Sequence, residues 1–324
     1  MKLVVANAPH VRTDDSVRKI MIDVLIALMP AVIGAVIFFG WYSLIMCIIG
    51  AFFAEFLEMF IVRILRKQKN FKPDGSATVT GLLLALNLSP IAPWWLILIG
   101  VMVAIGVAKQ AFGGIGQNFF NPALVGRAFL LMSFPTYMTT WVAPKIPFSK
   151  MPWDVVTSAT PLGILKEQGF SKAIESSGYW NLFIGNVGGC IGETSALLLL
   201  IGFAYLVVRK RVTLTVPSTY IGTVFLVASV MYLINPERFG SPLFHILSGG
   251  LFLGAFFMAT DMVTSPMTLK GQAIFGIGCG VITMVIRLFA SYPEGVSLSI
   301  LIMNGLVPLI DRATKPRVFG EVKT

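Results

Sequence analysis

IMIDVLIALMPAVIGAVIFF, residues 20–39, holds one charged side chain, Asp23, in twenty positions. As a helix it is about 30 Å long, which matches the hydrocarbon thickness of a bilayer. Lys2, Arg12, Arg18 and Lys19 precede it, and no A-x-A-like cleavage site follows it. It therefore reads as a signal anchor that stays in the membrane. The rest of the chain shares its character: 56% of the 324 residues are hydrophobic and 12% charged, with mean hydropathy +0.82. Soluble domains carry about 25% charged residues. A soluble enzyme, a disordered protein and a secreted disulfide scaffold are all excluded.

Further apolar stretches follow. The turn at Gly40 leads to a second span that ends near Val62, then to a basic loop with Arg63, Arg66, Lys67, Lys69 and Lys72. Residues 78–88 are apolar but only about half a bilayer long. Residues 94–108 and a short stretch at 122–134 come next. Residues 135–178 form the one long hydrophilic segment. Residues 179–208 suffice to span, with a break at Gly188, Gly189 and Gly192. Residues 216–234, 243–260, 272–289 and 297–310 complete the set. The expected fold is all-α, a single integral membrane domain over residues 1–324 with about ten transmembrane helices. Two sets of five would be inverted relative to each other, because an odd number of spans reverses the chain. Short or broken spans (here the third, fifth and sixth) then point to a site at the interface of the repeats.

Charge sets the expected orientation. Of 25 Lys and Arg, 18 fall on the side of the N-terminus, five on the other side, and Arg127 and Arg287 within spans. The positive-inside rule places residues 1–19 and 312–324 in the cytoplasm and the 135–178 loop outside, in the cytoplasmic (inner) membrane. That rule also accounts for the net charge of +10 and pI of about 9.7, so no nucleic-acid partner is expected. Cys47, Cys190 and Cys279 lie in apolar stretches without CxxC spacing and read as buried thiols. With only His10 and His245, a His-ligated metal or bis-His haem within this chain is not expected.

The outer loop holds Asp154-Val155-Val156-Thr157-Ser158-Ala159-Thr160-Pro161. By composition this is a hydroxyl-rich turn before a proline. Three other runs are rich in glycine or small polar residues: residues 73–81 (PDGSATVTG), 113–123 (GGIGQNFFNPA) and 188–195 (GGCIGETS). Glycine in a membrane segment usually serves helix packing. Glycine also lets a flat ligand approach the backbone, and Asn118 and Asn121 can donate and accept at a ring edge. No strand–turn–helix context surrounds the glycines, so no dinucleotide fold is expected.

In this order on a ten-span chain, the four runs resemble one family along nearly the whole length. It comprises the B subunit of the sodium-pumping NADH:quinone reductase and the D subunit of the Rnf complex, an ion-translocating ferredoxin:NAD oxidoreductase. The outer run resembles that family's flavinylation motif, D-x-x-[S/T]-x-A-T, in which the last Thr bears FMN through its phosphate. Carried over, the attachment residue is Thr160, with Asp154, Thr157, Ser158 and Ala159 as the motif around it. Ser158 stands where glycine is common. Only 19 residues precede the first span, which makes the resemblance closer to the Rnf protein. The resemblance implies an electron-carrying subunit of a translocase, with ferredoxin-to-NAD electron transfer driving Na⁺ or H⁺ export. It also implies the Rnf C, G, E, A and B subunits as partners and a flavin transferase for maturation. A second, non-covalent flavin, riboflavin, would have Asn118 and Asn121 as its candidate holders.

Asp23, Glu55, Glu58, Arg127, Glu193, Asp261, Arg287 and Asp311 lie in or at the ends of spans, where charge is costly. Glu193, beside the glycine break, is the expected intramembrane carboxylate for ion coupling or for fixing the broken backbone. Asp23, Glu58, Asp261 and Asp311 read as interface residues. Two other functions share these features. One is that of the quinone-reductase B subunit; the other is a flavin-free transporter or channel, which has no use for the outer motif.

Overall fold

The computed structural model describes residues 15–69, 71–144, 158–290 and 294–315, and they contain sixteen α-helices and no β-sheet. Helix α1 is Val17–Phe39 and α2 is Trp41–Phe60, extended by a π-helical turn at Ile61–Leu65. Ser16 caps α1 by accepting the Lys19 N–H at 3.3 Å. A single residue, Gly40 at φ +86°, separates α1 from α2, a conformation that only glycine takes readily. Trp41 follows directly and starts α2.

Helix α3, Ser76–Leu86, is about 16 Å long and cannot cross alone. It is buried along nearly its whole length and lies against α2. Gly81 and Gly50 permit that approach, since a Cβ on Gly81 would run into the Gly50 carbonyl. Helix α4, Trp94–Val101 with a π-helical continuation to Gln110, returns, and α5, Pro122–Ser133, follows the glycine-rich loop.

The long hydrophilic segment is more ordered than a loop. Its described parts form α6 (Pro135–Thr139), α7 (Pro161–Gln168) and α8 (Phe170–Ser177). Leu162, Leu165, Ala173, Leu182 and Phe244 make a small second core beneath α7 and α8. Helices α9 (Tyr179–Ile184) and α10 (Ala196–Val208) flank the expected glycine break. That break seals the end of α3: Ile191 N–H donates to Leu88 O at 2.9 Å and Gly192 N–H to Leu86 O at 2.8 Å. Carbonyls that a half-helix would leave bare in hydrocarbon are thus satisfied.

Helix α11 is Thr215–Ile234, followed by α12 (Pro236–Phe239), α13 (Pro242–Leu247) and α14 (Leu251–Leu253, π-helical on to Met258). Helices α15 (Leu269–Phe289) and α16 (Val296–Ala313) close the chain. The eighth span is broken at Ser248–Gly250 with a bend of 46°, a break that the sequence pattern did not predict. Among the described residues, five helices are long and apolar enough to cross a membrane, the bent pair makes a sixth when taken as one span, and four shorter apolar helices bring the segments to ten. The protein is a polytopic all-α membrane protein.

The most extensive helix contacts between the first five segments and the last five, among the described residues, are α1 along α10 and α5 against α16. If the halves are repeats, these are first-with-first and last-with-last contacts. Within each half the second element also packs on the fourth, α2 on α4 and α11 on α15.

Candidate functional site

Two cavities lie about 18 Å apart along α10, one at Thr194 before its start and the other at Leu206 near its end. The first, of about 20 Å³, is bounded by Thr160, Gly188, Gly189, Glu193, Gly249 and Glu294 among others. Thr160 is 8% exposed and forms the N-cap of α7, with Pro161 at the first helical position. Its Oγ accepts the Gly163 N–H at 3.1 Å. The Thr-Pro pair that reads as a turn therefore starts a helix, as this pairing favours. Ser158 Oγ is buried without a partner among the described residues. It faces Gly188, where an added Cβ would come within 2.6 Å of that oxygen. Asp154 and Thr157 lie outside the described residues.

Glu193 sits in the glycine break, and the chain brings three distant residues to it. Arg127 Nη2 lies 2.7 Å from Glu294 Oε2, 3.8 Å from Glu193 Oε1 and 3.5 Å from Cys190 Sγ. Arg127 Nη1 also donates to Asn87 Oδ1, and Asn87 Nδ2 donates to Leu83 O at 2.6 Å near the end of α3. All of these groups are buried. Cys190, Glu193 and Glu294 hold ligand-type atoms within 4.8 Å of one another, but the guanidinium already provides the cation there. Two carboxylates against one arginine leave one formal negative charge beside Thr160.

The second cavity, of about 100 Å³, has apolar walls from α1, α3, α10 and the end of the eighth span. Its polar lining includes Asn118, Asn121, Lys109, Thr80, Arg211 and Asp261. Asn118 Nδ2 donates to Phe120 O at 3.2 Å. Asn121 is more heavily committed. Its Oδ1 caps α5 by accepting the Ala123 and Leu124 N–H groups, and its Nδ2 donates to Met258 O at 3.2 Å. One Nδ2 hydrogen remains for anything else.

The neighbouring charges are mostly paired. Lys109 Nζ lies 2.6 Å from Glu58 Oε1 and donates to Ser76 Oγ. Arg211 bridges Asp15 at 3.0 Å and Asp23 at 2.7 Å, and Arg209 reaches Asp23 at 3.3 Å. The hydrogen bond from Arg211 holds the exposed Asp15 carboxyl below its ordinary range. Asp23 and Glu58, read as interface residues, are buried in ion pairs. Arg66 donates to the carbonyls of Gly113 and Gln110 and so pins the glycine-rich loop that carries Asn118.

Sequence reasoning singled out Arg127 and Glu193 separately, but missed Glu294, which reads as part of a turn before the last span. No local signal could have joined them, since 63 residues separate Arg127 from Cys190 and 167 separate it from Glu294. Lys109 and Arg211 were likewise missed as lining of the second cavity.

The family model described as "NQR2, RnfD, RnfE family" matches residues 4–320. One relative is the D subunit of the proton-translocating ferredoxin:NAD(+) oxidoreductase complex of Clostridium ljungdahlii. The chain is 47% identical to it over 321 residues, covering 98% of this chain and 96% of that one. A second is the D subunit of the Na(+)-translocating ferredoxin:NAD(+) oxidoreductase complex of Acetobacterium woodii, 46% identical over 325 residues, covering 100% and 97%. The D subunit of the ion-translocating oxidoreductase complex of Stutzerimonas stutzeri is 40% identical over 328 residues, covering 94% and 93%.

Proposed function

The chain belongs to the NQR2, RnfD, RnfE family, and from that premise we propose that it is the D-type membrane subunit of an ion-translocating ferredoxin:NAD oxidoreductase. In this reading it carries electrons across the membrane with FMN joined through its phosphate to Thr160. The relatives' names support the complex, and Thr160 in its buried corner supports the attachment. The observation that carries the cofactor reading is the pairing of Thr160 with an unpartnered Ser158 Oγ against a bare Gly188. An orphaned hydroxyl beside a glycine suits a polar group brought in by a ligand.

When bound, FMN supplies one- and two-electron redox chemistry, and the protein tunes and positions it. Thr160 is the tether. At about 20 Å³ the cavity below it admits a water-sized group, so the ring system of an attached flavin lies outside that cavity. Glu193, Glu294 and Arg127 set the charge at its floor. Glu193 is the ion-coupling residue of this proposal, able as a carboxylate to hold either a proton or Na⁺. The relatives from Clostridium ljungdahlii and Acetobacterium woodii translocate different ions by name while being almost equally identical to this chain, so overall identity does not select the ion.

The second cavity suits a flat, largely apolar ligand with a polar edge, and riboflavin fits that description. Asn118 would serve its edge, and Asn121 chiefly holds the wall in place. The termini are cytoplasmic in this proposal, with Thr160 on the outer side. The Rnf C, G, E, A and B subunits complete the complex, and a flavin transferase loads Thr160.

The test is in-gel fluorescence of the chain after denaturing electrophoresis, co-expressed with a flavin transferase, beside Thr160→Val. A fluorescent wild type and a dark variant are expected. Two dark bands, with the transferase active on a control substrate, would return the chain to a flavin-free transporter. Glu193→Gln is expected to keep covalent fluorescence while ion uptake by vesicles holding the whole complex falls. Unchanged uptake would remove Glu193 from the ion path.

A further inference from the structure

A third cavity, of about 160 Å³, lies against α7 and shares Leu162 with the cavity below Thr160. Thr160 does not line it. Lys166 and Arg238 stand at its exposed rim, His245 and Arg287 form its buried part, and Leu165 and Phe239 contribute apolar wall. Four of its lining side chains are thus basic types, and none is acidic.

Arg287 is 4% exposed and has no carboxylate within 4.0 Å among the described residues. Glu193 and Glu294 act on it only from farther away. Its Nη1 donates to His245 O and its Nη2 to Ser248 O at 3.1 Å, which caps the broken end of α13. Its Nε–H has no acceptor among the described residues. His245 is 1% exposed, with Nε2 at 2.6 Å from Phe239 O. A carbonyl only accepts, so Nε2 carries the proton and Nδ1 presents a lone pair. That Nδ1 has no donor among the described residues. The cavity is therefore lined by two buried side chains with unmet valences, one a donor and one an acceptor.

We propose that this cavity binds a phosphate-type oxyanion that also carries a hydroxyl group. The oxyanion accepts from Arg287 Nε–H, its hydroxyl donates to His245 Nδ1, and Lys166 and Arg238 supply the remaining positive charge. Arginine suits phosphate oxygens in geometry as well as charge. Basic pockets between membrane helices hold anionic headgroups in the same way. Two sources share this chemistry: the headgroup of an anionic lipid such as phosphatidylglycerol, and free hydrogen phosphate. The inference does not depend on what occupies the two cavities described above.

The experiment uses the whole complex, stripped of lipid in detergent. Its thermal midpoint is followed against inorganic phosphate and, separately, against phosphatidylglycerol, with phosphatidylcholine as control. Arg287 is left intact because it caps α13. The variant is Lys166→Gln combined with Arg238→Gln, both exposed side chains. Wild type is expected to gain stability with one of the probes, and the double variant to need at least tenfold more of it. A response to phosphate supports the site with the free anion as occupant. A response to phosphatidylglycerol, and to neither phosphate nor phosphatidylcholine, supports it with a lipid. The proposal is overturned if neither probe shifts the wild type, or if the double variant responds as the wild type does.

Discussion

Arg127 and Arg287 are both buried arginines within membrane helices, and both serve the end of an interrupted one. Arg127 reaches the end of α3 through Asn87 and is held by two carboxylates, Glu193 and Glu294. Arg287 caps α13 directly, through two backbone carbonyls, with no carboxylate in contact among the described residues. The first centre carries a formal charge of −1 and the second of +1. A break in a membrane helix needs a donor for its bare carbonyls, and arginine provides it. What balances the arginine then decides whether the neighbouring cavity is electronegative or electropositive.

Removing the cation at each centre separates the two cases. Arg127→Met removes the guanidinium that Glu193 and Glu294 share. Breaking a buried pair in this way costs about 3–5 kcal/mol, read as a large fall in the thermal midpoint of the solubilised complex. A midpoint equal to wild type would mean that the carboxylates are already neutral. Arg287→Lys keeps the charge but gives up the two-pronged geometry. Losing one charged hydrogen bond to a carbonyl costs about 1.5–3 kcal/mol, and a loss as large as that of Arg127→Met would erase the distinction between the centres. Gly192→Ala tests the seal over α3, because its Cβ would come within 2.5 Å of the Leu86 side chain. Overpacking of this kind costs about 1–3 kcal/mol, and unfolding of the purified variant measures it. Asn121→Ala removes a cap, for about 1 kcal/mol. A much larger loss of the second cavity's ligand than of stability would show that Asn121 touches that ligand directly.

Much of this was legible in the sequence. The runs of apolar residues located the segments, since helix length and bilayer thickness leave few alternatives. The glycines at 188–192 marked the sixth-span break, where an added side chain would strike Ser158 from Gly188 and Leu86 from Gly192. The eighth-span break escaped because Ser248-Gly249-Gly250 is short and sits in otherwise continuous apolar sequence; Arg287, which caps it, lies 39 residues away. The long hydrophilic segment hid α7 and α8 because their amphipathic faces cover only a small core. The ion pairs of Asp23 and Glu58 were not legible because their partners, Arg211 and Lys109, are distant in the chain. The outer motif was legible only through resemblance, since its residue types alone describe an ordinary turn.

The attachment of FMN to Thr160 is the claim on which the electron-carrying account stands. Peptide mass spectrometry of the complex, purified from cells with an active flavin transferase, addresses it directly. Cleavage after Lys150 and Lys166 releases residues 151–166, which hold Thr157, Ser158 and Thr160 together. The account predicts a mass increment of one FMN less one water, with fragmentation assigning it to Thr160. An unmodified peptide, or an increment on Thr157 or Ser158, would contradict it.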